Sequence, residues 1–281
     1  MPVRQGMPKG GDVNVDVAVS DVYEPVSLAL LHRILAEPLI RGLSPSVSVW
    51  SPGRDLPVAE DPDDGAAVVI SGGVDRPPSS CGTSAMLTVH VPDLRCRVVL
   101  VADDRDAYEA CVIHLDELGH RRIVFLSGDS QLFGNRGRRR DFREALVRRR
   151  ADSAAMFLDV DHTPDAAANA LRTLQGHGAT AVVCSTDMLA SAVIHEASRM
   201  GLKVPEELSV VGYGDSIEAA LQSPELTTIR MPFARVSRAV AQILYEYSVS
   251  GSVDVGRLSF RSEFIIRQST GPCPENVGEI L

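Results

Sequence analysis

Basic charge is what this chain most conspicuously lacks. Its 28 lysines and arginines face 37 aspartates and glutamates, for a net charge of -9 across 281 residues. Affinity for a phosphate backbone rests on cations that displace condensed counterions, so this polypeptide alone is expected to bind DNA poorly. Cysteine is sparse and unpaired: Cys81, Cys96, Cys111, Cys184 and Cys273 include no C-x-x-C, and the seven histidines never approach zinc-ligand spacing. Free thiols in a reducing compartment are the expectation, with no metal and no cofactor. There is no apolar run long enough for a signal-peptide core or a membrane span, which points to a cytoplasmic protein without membrane contact. G-x-S-x-G, G-x-x-x-x-G-K-[ST], H-E-x-x-H and a strand-linked G-x-G-x-x-G are all missing, so catalysis is not expected.

What is present is a globular composition, 44% apolar and 23% charged, with a regular rhythm. From Ile123 onward short apolar runs alternate with helix-length amphipathic segments, as in repeated β-α units around a parallel sheet. Strands are expected at Ile123 to Leu126, Ala154 to Leu158, Ala181 to Cys184 and Leu208 to Val211, with helices near Arg136 to Arg150, Pro164 to Gln175 and Met188 to Met200. Thr163 is the expected cap of the second helix, Pro164 its first residue, and Gly201 closes the third. Upstream, Val13 to Val19, Ala67 to Ile70 and Val98 to Val101 read as buried strands, and Asp104 to Leu118 as a helix ending at Gly119. Pro52, Gly53, Pro57 and Pro62 interrupt the place where a crossover helix belongs, so this half is expected to be irregular. Downstream, Thr227 to Arg230 reads as a strand, Arg235 to Tyr247 as a helix and Leu258 to Arg267 as strands.

Several segments occur together in one order. V-L-V-A-D-D-R starts at Val99, H-L-D-E-L-G-H-R-R-I runs from His114 to Ile123, and L-S-G occupies Leu126 to Gly128. R-x-R-x-x-x-F follows at Arg136 to Phe142, A-V-V-C-S-T-D at Ala181 to Asp187, and G-L-K-V-P-E-E-L-S-V-V-G-Y at Gly201 to Tyr213. S-P-E-L-T-T-I-R at Ser223 to Arg230 and R-Q-S-T-G-P at Arg267 to Pro272 complete the set. Through these motifs Val98 to Pro272 resembles the effector domain of LacI/GalR-type transcriptional regulators, while D-V-Y-E-P-V from Asp21 is similar to a worn form of the family's stretch after the first strand. The family's helix-turn-helix head has no counterpart before Val13, so DNA contact is expected only through a head absent from this chain.

The resemblance implies an α/β fold of the periplasmic-binding-protein-like type I: two doubly wound parallel-sheet lobes joined by a three-segment hinge. The expected division is a flexible N-terminus at 1–11, an N-terminal lobe of 12–119 plus 232–257, a C-terminal lobe of 120–231 plus 258–270, and a tail at 271–281. Ligands of doubly wound sheets settle outside the carboxyl ends of the strands, which nominates Asp21, Tyr23, Asp103, Asp106, Arg138, His162, Thr186, Asp187 and Asp215.

Each nomination has a plainer competitor. The resemblance places a ligand-gripping arginine at Arg138, and a guanidinium fork suits hydroxyl or carboxylate recognition; the alternative is a solvated arginine-rich helix from Arg136 to Arg150. His162 falls where the family puts an aromatic that stacks on the ligand, or is simply an exposed loop residue. Thr186 matches a polar contact position, and Asp187 is read foremost as a helix cap. Asp103 and Asp106, with Asp104 between them, either meet a ligand or serve the start of a helix. Asp21 and Tyr23 belong to a strand-to-helix turn. Where the family reads G-[FY]-D-D this chain has Gly212-Tyr213-Gly214-Asp215, so either Asp215 substitutes for the missing carboxylate or the ligand is not a typical sugar. Asp141, replacing a usual glycine, is placed to pair with the arginine row.

The family likeness implies a sensing core for a small polar effector, a carbohydrate in most members, acting as a homodimer in which ligand-induced lobe closure controls DNA binding. The competing expectation is a stand-alone or periplasmic-type sugar-binding protein without DNA binding.

Overall fold

The computed structural model describes residues 14–19, 25–40, 44–49, 66–70, 85–90, 98–128, 133–149, 154–160, 164–250 and 257–274. They fall into two compact units, Met1–Val101 with Phe233–Phe260 and Ala102–Pro232 with Arg261–Leu281, so the chain passes from one unit to the other three times.

The first unit holds β1 (Asn14–Val19), α1 (Pro25–Ala36), β2 (Ser44–Val49), β3 (Ala66–Ile70), β4 (Ala85–His90) and the start of β5 (Val98–Asp103). With β11 (Arg257–Arg261), contributed from further along the chain, its sheet has the order β11-β5-β4-β3-β1-β2. β1 pairs in parallel with β2 and β3, but β4 runs antiparallel to both β3 and β5, so this sheet is mixed rather than uniformly parallel. Pro45 sits in β2 at the sheet edge, where a residue without an N–H is tolerated. The interrupted segment 52–62 lies outside the described residues.

The second unit contains α2 (Arg105–Glu117), β6 (Arg122–Ser127), α3 (Phe133–Arg149), β7 (Ala154–Asp159), α4 (Pro164–Gly176), β8 (Ala181–Cys184), α5 (Asp187–Arg199), β9 (Ser209–Gly214), α6 (Ile217–Leu221) and β10 (Thr227–Arg230). The chain then supplies α7 (Phe233–Ser250) and β11 (Arg257–Arg261) to the first unit and returns through β12 (Glu263–Ile265). The second sheet has the order β12-β10-β9-β8-β6-β7, parallel from β7 to β10, with β12 antiparallel at one edge. β8 and β9 are buried along their whole length, which is why β8 reads as an unbroken apolar run. Leu126, Val182, Val210, Leu171, Val193 and Leu226 belong to the core between this sheet and its helices.

One expected boundary shifts. The first crossing comes after Val101, not after residue 119, because α2 packs on α3 and β12 of the second unit and its N-terminal Asp104 is bonded to Tyr213 and Ser262 there. The expected helix at Arg136 begins earlier, at Phe133, and Thr163 lies outside the described residues.

Candidate functional site

Strand order reverses between β6 and β8: the chain steps from β6 outward to β7, then returns to the other side of β6 to lay down β8 and β9. Such a reversal leaves a crevice outside the carboxyl ends of the two strands. Here those ends carry Ser127 and Gly128 on one side and Ser185 and Thr186 on the other, with the Gly128 N–H 3.4 Å from Ser185 Oγ.

Arg138 reaches this point from α3. The helix is rich in arginine, yet Arg138, Asp141, Phe142, Ala145 and Leu146 recur at helical spacing and are all buried, while Arg143, Arg148 and Arg149 are exposed. Only 6% of Arg138 is exposed. Its Nη1 donates to the Ser185 carbonyl at 3.2 Å, and its guanidinium lies 4.3 Å from the centroid of the Tyr213 ring on β9. The Tyr213 hydroxyl donates to Asp104 Oδ2 at 2.9 Å and lies 2.8 Å from Met231 Sδ; Ser262 Oγ donates to Asp104 Oδ1 at 2.5 Å. Burial raises the Asp104 carboxyl above its ordinary range, opposed by the two hydroxyl bonds and by the Arg138 charge. Burial likewise holds the Tyr213 phenol protonated. Tyr108 stacks on Tyr213 at 6.4 Å, and its buried hydroxyl has no hydrogen-bond partner among the described residues.

The other nominated residues divide by what already holds them. Thr186 is the cap of α5, its Oγ accepting from the Leu189 N–H at 3.2 Å. The capping role expected of Asp187 therefore belongs to its neighbour. Asp187 is instead the first helical residue, 4% exposed, accepting from Thr228 Oγ1 at 2.5 Å and from the Ser216 N–H at 2.6 Å. Burial raises its carboxyl despite those bonds. Asp215 adopts a left-handed backbone (φ 54°) and is engaged by Arg230 Nε at 2.6 Å and Arg267 Nη2 at 2.5 Å. Burial pushes its carboxyl up, but the two arginines outweigh burial and hold it below the usual range.

Asp103 is clasped by Arg105 through two bonds of 2.8 and 2.9 Å, which lower its carboxyl pKa. Asp106 is exposed on α2, 3.5 Å from Arg261, and does not join the Arg138 group. Asp141 pairs with Arg140 at 2.6 and 3.0 Å, as its place beside the arginine row implied. Asp21, Tyr23 and His162 lie outside the described residues.

Structure thus adds Asp104, Tyr213, Ser262 and Tyr108 to Arg138. Tyr213 is part of the Gly212-Tyr213-Gly214-Asp215 segment, but nothing local in the sequence ties it to Asp104, 109 residues away. Among the described residues no three His, Cys, Asp or Glu side chains converge as a metal site. Burial lifts the thiols of Cys111 and Cys184 well above the ordinary range, leaving them poor nucleophiles. The arrangement is suited to polar recognition: a buried guanidinium stacked on an aromatic face, beside strand-end hydroxyls and backbone groups.

Comparison with known proteins is consistent with this architecture. Residues 112–270 match the family described as periplasmic binding protein-like domain. The HTH-type transcriptional regulator MalR of Streptomyces coelicolor is 32% identical over 185 residues, covering 63% of this chain and 53% of that protein. The chain spans about half the length of the first curated relatives it matches. A LacI family transcriptional regulator from Enterococcus faecium, solved with bound ribose, superposes with a TM-score of 0.75 at 19% identity, over 92% of this chain and 99% of that one. A dimeric Lac repressor with an 11-residue C-terminal deletion gives 0.72 at 19% identity, over 93% and 100%.

Proposed function

The chain belongs to the periplasmic binding protein-like domain family, and from that premise we propose that it is the effector-sensing core of a LacI-type transcriptional regulator. The observation that carries this reading is the burial of Arg138 at the strand-order reversal, where its guanidinium is held over Tyr213. A buried cation at that place suits a small ligand rich in hydroxyl or carboxylate oxygens. The ribose-bound relative supports a carbohydrate as the effector class.

The protein acts by binding and not by turnover: the carboxylates near the strand ends are engaged by arginines, hydroxyls or backbone N–H groups. Effector binding shifts the population of conformations that the intact regulator presents to DNA, and the shift is limited to the effector's differential affinity for those conformations. The dimeric Lac repressor supports a homodimer as the acting species, and the proposed role in transcription implies a cytoplasmic location.

A thermal-shift panel of pentoses, hexoses, glycosides, nucleobases and sugar acids tests the reading. A ligand at about 100 times its Kd raises stability by about 2.7 kcal/mol, so true effectors stand clear of the panel. A panel without a single stabilising compound refutes the assignment.

A further inference from the structure

At the opposite ends of the same strands the second unit has a cavity of about 200 Å³. It opens where β6, β8 and β9 begin, around Arg122, Thr180 and Leu208, whereas Arg138 meets Ser185 just beyond the carboxyl end of β8. Of the apolar residues that line it, Leu202, Ala179 and Pro274 keep accessible surface, whereas Leu171, Leu174 and Leu208 are almost wholly buried.

Two charged residues line it, and they differ in what they are free to do. Glu207 is turned back on its own loop, where Oε2 accepts from the Lys203 N–H at 2.8 Å. Arg122 makes no ion pair among the described residues. Its guanidinium lies against Gly178, in the turn after α4: a Cβ there would stand 2.8 Å from Nη1 and 3.0 Å from Cζ, so a larger residue would make the guanidinium shift from this place. Gly178 also has a left-handed backbone, φ 61°, that other residues adopt only with strain. The helix-end carbonyls of Thr173, Leu174 and Gln175 accept from the N–H groups of His177, Ala179 and Gly178.

We propose that this cavity is a second ligand site, for a small apolar monocarboxylate whose carboxylate pairs with Arg122 and whose body lies on Leu202, Ala179 and Pro274. The volume sets the size. A cavity of about 150 Å³ accepts a benzene ring, so this one takes a single ring, or a short alkyl chain, plus the carboxylate. The site is independent of the reading of Arg138, since neither its walls nor its charge include the strand-end residues. Thr180 links it to the interior through the Oγ contact to His120 Nδ1 at 3.0 Å, which gives an occupant a route to the segment around Gly271.

The test uses the full chain, with benzoate and hexanoate as probes and benzyl alcohol as the uncharged control, read by saturation-transfer NMR and calorimetry. At least one carboxylate binds, and benzyl alcohol binds about tenfold more weakly or not at all. Arg122→Gln, at an exposed position, weakens the carboxylate about tenfold, Arg122→Lys restores most of the affinity, and Arg138→Gln leaves it unchanged. The proposal is overturned if neither carboxylate binds, if binding is indifferent to Arg122→Gln, or if it is lost in Arg138→Gln instead.

Discussion

Arg138 of α3 and Tyr213 of β9 form a buried cation-on-ring pair, 4.3 Å apart, although 75 positions separate them in the chain. The ring keeps the guanidinium from swinging, and the same tyrosine donates a hydrogen bond from its hydroxyl to the buried Asp104 carboxylate at 2.9 Å. One residue thus serves the orientation of the proposed recognition group and the satisfaction of a buried acid.

Tyr213→Phe separates the two roles. It retains the aromatic face under Arg138 but removes one of the two hydroxyl bonds to Asp104. Leaving that carboxylate short of a donor costs about 1–3 kcal/mol. Urea unfolding of the variant should show that loss, with effector affinity changed far less than in an Arg138 variant.

Gly212 permits a close approach inside the second sheet. A Cβ there would run into the Asp187 carboxylate and come 2.7 Å from Leu226 Cδ2. Gly212→Ala should therefore displace Asp187 from Thr228 and Ser216, lowering thermal stability by about 2 kcal/mol or more. Gly176→Ala, at a helix end with open space around its Cα, serves as the contrast and should leave stability within about 0.5 kcal/mol.

The sheet alternation of the second unit was plain in the sequence because its central strands β6, β8 and β9 are buried almost along their whole length. β6 to β9 and α3 to α5 lie within a few residues of the expected spans. β2 and β4 were not legible: Ser-Pro-Ser-Val-Ser-Val carries a proline and three serines, and its strand exists only through pairing with β1. Arg138 stood out from its resemblance, whereas composition alone suggested a uniformly solvated helix. Asp104, Tyr213 and Ser262 could not be grouped, since contacts across 109 and 158 positions leave no periodic trace. Asp187 was misassigned as a cap because Thr186 and Asp187 are both good capping residues, and only the backbone decides which one precedes the helix.

His120 gives a pH dependence of definite sign. Its ring is fully buried, with Nε2 donating to the Gly271 carbonyl and Nδ1 beside Thr180 Oγ1, each at 3.0 Å. Burial lowers its pKa below the ordinary 6.5. The unfolded chain then binds the proton more readily than the folded one, so stability is fully present above about pH 6.5 and falls as the solution is acidified below it. His114, also lowered by burial and bonded to Thr270, contributes in the same direction. Denaturant unfolding between pH 7 and pH 5 should show this decline, and His120→Gln should flatten part of it. An unchanged slope in the variant would assign the dependence elsewhere.

The central claim is that a small polar effector is gripped at the strand-order reversal by Arg138. Calorimetric titration of the strongest stabilising compound tests it most directly, comparing the native chain with Arg138→Gln and with Arg143→Gln, an exposed arginine of the same helix that lies over Phe157 instead. The account predicts a loss of about ten- to a hundredfold in affinity for Arg138→Gln, the equivalent of one charged hydrogen bond, and native affinity for Arg143→Gln. Equal affinity in all three proteins would contradict it.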